Sequence, residues 1–235
     1  MGESPDPFPP SQGRPPLAVR PGLWLFAPNR DNQGGSSWLL EHPAADVLVD
    51  GPALTPANRA WLGLRAAGRS GWIVLTGRDG HGRCRALQEL LGWPVLVQEQ
   101  EAYLLPSVPG LITFSAEHQL AEGLRLLWTP GPSPGACVLH GTGGSAGDGL
   151  FCGRLLVPVA PGRLEPLRRR GTFHWPRQLR SLEALRRWLP EGAPEWIASG
   201  AGLGALRGEK LVPQGFSLLT SLDLRGLASR PPEGG

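Results

Sequence analysis

The chain is short of lysine, of cysteine and of long apolar runs, and each shortage excludes something. Of the 23 basic residues only Lys210 is lysine, a bias of composition rather than a surface built to hold a polyanion. The formal net charge of +3 over 235 residues is too modest to direct the whole chain onto nucleic acid. Three cysteines, Cys84, Cys137 and Cys152, stand far apart with no C-x-x-C pair, which argues against a disulfide framework and against a thiolate zinc site. They read as small buried hydrophobes. No run of ~18 apolar residues occurs, so no membrane-spanning helix is expected. The first residues lack a basic stretch followed by an apolar one, so no secretory signal is expected and the chain is placed in the cytoplasm.

Proline and glycine are abundant, and they punctuate the chain. Residues 1–21 hold seven prolines among polar residues and are expected to form a disordered or extended leader. A single domain is expected over 22–229 and a flexible tail over 230–235. Apolar runs at 22–27, 36–41 and 46–50, separated by short polar turns, predict an antiparallel meander. His42, beside a proline in one of these turns, is expected to be exposed. Thr55-Pro56 predicts a helix start, with Ala60, Trp61, Leu64 and Ala67 on its inner face and Gly68 as its stop. Strand 72–75, a polar turn, a helix over 82–91, strand 94–98 and a short helix at 99–105 follow.

The second half reads as strands at 111–114, 124–128, 136–140, 150–152 and 155–159, a helix over 176–189 and a last strand at 196–198. Leu179, Leu182, Leu185 and Leu189 predict the buried face of that helix. Beyond 203 the pattern becomes irregular. His118 and His140 read as surface or strand-end residues. Two half-chains, each giving a sheet with helices outside, would bury the sheets against each other as a four-layer αββα sandwich.

Chemistry concentrates at 76–82, where Asp79 and His81 leave the carboxyl end of a strand just before a helix. Two other patterns are set aside. Gly143-Gly144-Ser145-Ala146-Gly147 matches G-x-S-x-G but lies in a loop between strands, whereas a nucleophile elbow needs a helix after it. Gly200-Ala201-Gly202-Leu203-Gly204 mimics a dinucleotide fingerprint, with no βαβ unit and no acidic residue after it. The arginines over 163–187 read as a solvated loop and helix face, since no stacking-aromatic pattern accompanies them.

Six segments in order resemble the motifs of one known fold family. Gly34-Gly35-Ser36-Ser37-Trp38-Leu39-Leu40 is similar to its G-G-x-S-Y-L-I strand, and Val47-Leu48-Val49-Asp50-Gly51 to V-L-I-D-x-G. Leu75-Thr76 opens the T-H-x-H-x-D-H segment. Thr129-Pro130-Gly131-Pro132-Ser133-Pro134-Gly135 resembles T-P-G-H-T-P-G, Leu150-Phe151-Cys152-Gly153-Arg154 resembles L-F-T-G-D, and Ser199-Gly200-Ala201-Gly202 resembles P-G-H-G. Residues 98–106 and 172–181 further resemble a divergent branch found in cyanobacteria. These segments mark a resemblance to the metallo-β-lactamase fold family, and the resemblance implies the four-layer αββα sandwich.

In that family, metals held by histidines and carboxylates lower the pKa of a bound water. Carried over position by position, the ligands mostly vanish. The histidine positions fall on Gly77, Asp79, Gly82, Pro132 and Ala201, the aspartate after the second histidine on His81, and the bridging aspartate on Arg154. A permanently charged guanidinium at Arg154 would repel dications and could pair with Asp79 instead. The resemblance gives Asp50 the place of a carboxylate that orients the family's histidines; here a structural hydrogen-bonding job is expected. No metal or other cofactor is expected.

Two functions follow as expectations. The first is a metal-free descendant whose cleft binds a small anionic ligand or protein partner, or serves as scaffold, with Arg78, Ser133 and Arg154 as anion-binding residues. The second is a divergent hydrolase of esters, thioesters or phosphodiesters that uses Asp79, His81 and His174 as catalytic groups with at most one weakly held zinc or iron. His174, set between Phe173 and Trp175, reads first as a packed side chain. Nucleic acid is disfavoured as a partner, because nucleases of this family carry a large inserted domain and keep the histidines.

Overall fold

The structure is a computed structural model that describes residues 12–229. The expected tail at 230–235 and the first half of the expected leader lie outside the described residues.

The chain opens with strands β1 (Leu17–Arg20), β2 (Leu23–Asn29), β3 (Gly35–Leu40) and β4 (Asp46–Val49), which pair in succession as an antiparallel meander. The leader boundary at 21 is therefore corrected: residues 17–20 form the edge strand of the first sheet, bent by a bulge after Ala18. Helix α1 (Pro56–Ala66) follows, capped by the Thr55 hydroxyl, which accepts from the Asn58 N–H at 3.2 Å. β5 (Gly71–Leu75), α2 (Cys84–Leu91), β6 (Val95–Gln98) and β7 (Ile112–Phe114) complete a seven-stranded sheet, with β4 to β7 running parallel. A 3₁₀ turn (Glu99–Leu104) stands where a short helix was expected.

β8 (Glu117–Ala121), β9 (Leu124–Trp128), β10 (Cys137–Gly141) and β11 (Gly149–Phe151) begin the second sheet. A small hairpin, β12 (Val157–Ala160) with β13 (Arg163–Glu165), leads to helix α3 (Trp175–Trp188). β14 (Trp196–Ala198) and β15 (Val212–Pro213) then give six strands in the order β15-β14-β11-β10-β9-β8. Helices α4 (Gly215–Ser221) and α5 (Leu224–Ala228) correct the expectation of an irregular chain beyond 203. Arg186 of α3 holds them by donating Nε to the Leu219 carbonyl and Nη2 to the Leu222 carbonyl, both at 2.7 Å.

Side-chain alternation explains the layering. In the first sheet Leu39, Leu48, Ile73, Leu75, Val95 and Val97 point outward onto Leu62 of α1 and Leu87 and Leu91 of α2. Their neighbours Trp38, Leu40, Val47, Val49, Val74 and Leu96 point inward and meet Leu126, Val138, Leu150 and Phe151 of the second sheet. Strands covered on both faces must be apolar at every position, which is why 47–49 and 73–75 read as unbroken apolar runs. Trp38 joins the sheets twice, packing edge-on against Phe151 with centroids 6.4 Å apart and donating its indole N–H to the Ser199 carbonyl at 3.0 Å. Burying an aromatic of this size contributes roughly 2–3 kcal/mol. The result is the four-layer αββα sandwich. Among the described residues no helix is long and apolar enough to cross a membrane.

Three readings of side chains are corrected. In α1 the buried residues are Asn58 and Leu62, while Leu64 is 81% exposed; Asn58 tolerates burial because its amide donates to the Ala53 carbonyl at 2.8 Å. His42 is buried, with Nε2 bonded to the Thr142 carbonyl and Nδ1 accepting from the Ala44 N–H. His140 is also buried, its Nε2 at 2.7 Å from Asp148 Oδ1. Each histidine has a polar partner that the local sequence does not announce.

Candidate functional site

The carboxyl end of β5 supplies one wall. Thr76 is fixed by Asp50, whose carboxylate accepts the Thr76 N–H at 2.8 Å and the Thr76 hydroxyl at 2.7 Å. Asp50 is 3% exposed, and burial pushes its pKa from 3.8 up to about 6, against the opposing effect of the Thr76 bonds. The chain then turns through Arg78–Gly80 directly over this carboxylate. Gly80 is required there, because a Cβ would fall on the Asp50 side chain.

The facing wall is the Thr129–Gly135 loop. Beneath it lies Glu101, fully buried, accepting the Gly135 N–H at 3.0 Å and facing Arg78 Nε at 3.3 Å. Gly135 has no room for a Cβ, which would meet the Glu101 side chain. Arg78, expected to bind an anion, has its Nε directed at this internal carboxylate. Ser133 is buried and its Oγ has no hydrogen-bond partner.

The tight turn after β11 brings in Arg154. Its Nε sits 3.3 Å from Asp79 Oδ2, and its Nη2 donates to the carbonyls of Asn32 at 2.9 Å and Gln33 at 3.1 Å. The pairing of Arg154 with Asp79 is present as the sequence comparison suggested. Asp50, Gly77, Asp79, Pro132, Ser133 and Arg154 all line one cavity. Its volume is only about 20 Å³, room for roughly one or two waters.

The three residues expected as catalytic groups lie in different surroundings. Asp79 lines this cavity, but His81 lines a separate groove beside α2 with Cys84 and Leu105. Burial lowers the pKa of His81, and its Nε2 is buried without a partner. His174 is exposed rather than packed; it caps α3, with Nδ1 accepting the Arg177 N–H at 3.2 Å. Burial also pushes the thiols of Cys84 and Cys152 up to about 12, so neither is a nucleophile at neutral pH.

A metal fits poorly. Among the described residues no group of three or more His, Cys, Asp or Glu is arranged to hold an ion. The residues that line the cavity bring one unspent carboxylate oxygen at Asp79 and a guanidinium against it.

Outward from Arg154 the site opens. A second hollow of about 230 Å³ is lined by Asp79, Arg154, Val157, Leu167, Arg169 and Gln178, among others. A larger groove of about 740 Å³ between β13 and α4–α5 shares none of these residues. Sequence reasoning missed Glu101, Arg169 and Gln178. Glu101 sits in a polar run with nothing to mark it as buried, and Arg169 is one of three adjacent arginines.

No protein-family model and no curated protein sequence matches the chain. Solved structures do. A B3 metallo-β-lactamase, BLEG-1, superposes with a TM-score of 0.58 at 18% identity, covering 83% of this chain and 96% of its own. A B3 metallo-β-lactamase described as the first with an active-site glutamic acid gives 0.59 at 20% identity, covering 93% and 91%. TTHA1623, solved in a di-iron-bound form, gives 0.54 at 22%, covering 78% and 92%. The chain has the metallo-β-lactamase fold.

Proposed function

We propose that this protein is a metal-free member of its fold that has given up metal-dependent hydrolysis and uses the cleft beside Arg154 to bind a small anionic ligand. The observation that carries this reading is Arg154 itself. Its guanidinium lies between Asp79 and the Asn32 and Gln33 carbonyls, at the position that corresponds to the family's bridging aspartate. It supplies positive charge to the cleft without an ion, and it cannot deprotonate to admit one. The small cavity behind it leaves no space for two ions and a bridging water.

The protein therefore acts through recognition, with Asp79 orienting the guanidinium and Ser133 closing the inner wall. Metal analysis of protein purified without chelator tests this. The expected result is less than a tenth of an equivalent of zinc, iron or manganese. Stoichiometric metal that disappears in Asp79→Ala would overturn the reading. The hydrolase alternative with Asp79, His81 and His174 is less favoured because Asp79 and His81 line different cavities and exposed His174 lines neither. It predicts turnover of an ester, thioester or phosphodiester that dies in both Asp79→Ala and His81→Ala.

A further inference from the structure

The 230 Å³ hollow outside Arg154 has an electrostatic composition that selects its occupant. Two permanently charged guanidinium groups line it, Arg154 and Arg169, against one carboxylate, Asp79. Asp79 is already held by Arg154 Nε, so the lining carries a surplus of one positive charge. Neither cation is fully used. Arg154 spends Nε and Nη2 on protein, while its Nη1 makes no hydrogen bond among the described residues. The side chain of Arg169 makes none among the described residues; its backbone engages Thr172, the N–H donating to the hydroxyl at 2.9 Å and the carbonyl accepting the Thr172 N–H at 3.0 Å. That turn is fastened to the facing loop through the Phe173 and His174 N–H groups, which donate to the Pro132 and Gly131 carbonyls. The position of Arg169 over the hollow is thus set by the backbone.

The remaining wall is apolar on one side, with Val157 and Leu167, and polar on the other, where Gln178 donates its Nε2 to the Leu155 carbonyl and leaves Oε1 unpartnered. The volume falls below the roughly 300–1,000 Å³ of pockets for drug-sized ligands.

Resting on the anion-binding reading above, we infer that this hollow binds a small monocarboxylate with a short apolar body. The carboxylate spans the free edge of Arg169 and Nη1 of Arg154, in the planar geometry that guanidinium groups favour. The hydrocarbon packs on Val157 and Leu167. A phosphate monoester, at about −1.5 to −2 charge, would exceed the surplus and place its excess beside Asp79.

Calorimetric titration of the full chain with isovalerate and with inorganic phosphate tests the assignment. Isovalerate is expected to bind at least tenfold tighter than phosphate. Arg169→Ala should weaken it at least tenfold, and Arg169→Lys severalfold, because lysine keeps the charge but loses the planar fork. The side chain of Arg169 has no role in the fold, so both variants should melt like the parent. Phosphate bound as tightly as isovalerate, and weakened by Arg169→Ala, would overturn the carboxylate assignment while leaving an anion-binding cleft. Isovalerate binding that is absent, or unchanged in Arg169→Ala, would remove this hollow as the site. Metal content, the test of the parent reading, is independent of each of these results.

Discussion

The two loops that face each other across the small cavity each rest on a buried carboxylate, and they rest on it differently. Asp50 under the 76–82 turn takes two hydrogen bonds from Thr76 and has no ion pair of its own among the described residues. Glu101 under the 129–135 loop takes one backbone N–H and has Arg78 over it. The first device answers to pH. The second answers to the presence of its partner. The two facing walls of the cleft are each tied down by such an internal contact.

The comparison is broken most severely by Arg78→Ala. It leaves Glu101 buried with no cation, a change that typically costs roughly 3–5 kcal/mol, reduced here because Arg78 is 39% exposed. Urea denaturation should show a loss of about 2–3 kcal/mol with an unchanged m-value; a loss under half a kcal/mol would mean that Glu101 does not depend on Arg78.

Asp50 gives the next effect, with a defined sign. Folded Asp50 holds its proton more tightly than the unfolded chain does, so its contribution is complete below 3.8 and is lost as pH rises through about 6. The span is about 3 kcal/mol at most. His81 acts in the opposite sense, its lowered pKa removing stability as pH falls below 6.5. Asp50→Asn should therefore lose the gain in stability that the parent shows, relative to the variant, between pH 7 and pH 4. Parallel pH profiles for parent and variant would assign the titration elsewhere.

Arg154→Leu strips donors from the carbonyls of buried Asn32 and exposed Gln33 and a partner from half-buried Asp79, and should lower stability by about 1–2 kcal/mol. A melting point above that of the parent would show that the guanidinium is a burden on the fold. The smallest effect belongs to Ser133→Ala. It removes a buried hydroxyl that bonds to nothing, so stability should change by less than about 1 kcal/mol, neutral or upward. A large loss would reveal a bond through ordered water.

Strands buried on both faces were legible because a continuous apolar run has few other uses; 47–49 and 73–75 are examples. β1 and β8 were not legible. They are edge strands, exposed on much of their length, and their Pro-rich or charged surroundings mask them. α1 failed in its face, since apolar spacing favoured Leu64 whereas packing selected Leu62 and a hydrogen-bonded Asn58. At the site, motif positions were enough to bring Asp79, Pro132 and Arg154 together. They could not reveal that Arg154 is held by the carbonyls of residues 32 and 33, more than a hundred positions earlier. Main-chain acceptors carry no sequence signature. The same blindness hid Glu101, which besides Arg78 is held by the backbone N–H of Gly135.

Those two carbonyls also bear on how far a change at Arg154 would spread. Replacing it would leave the loop at 32–33 without its anchor and Asp79 without its ion-pair partner. The guanidinium is thus a rivet: one side chain clamps two segments more than forty residues apart, so both would loosen together.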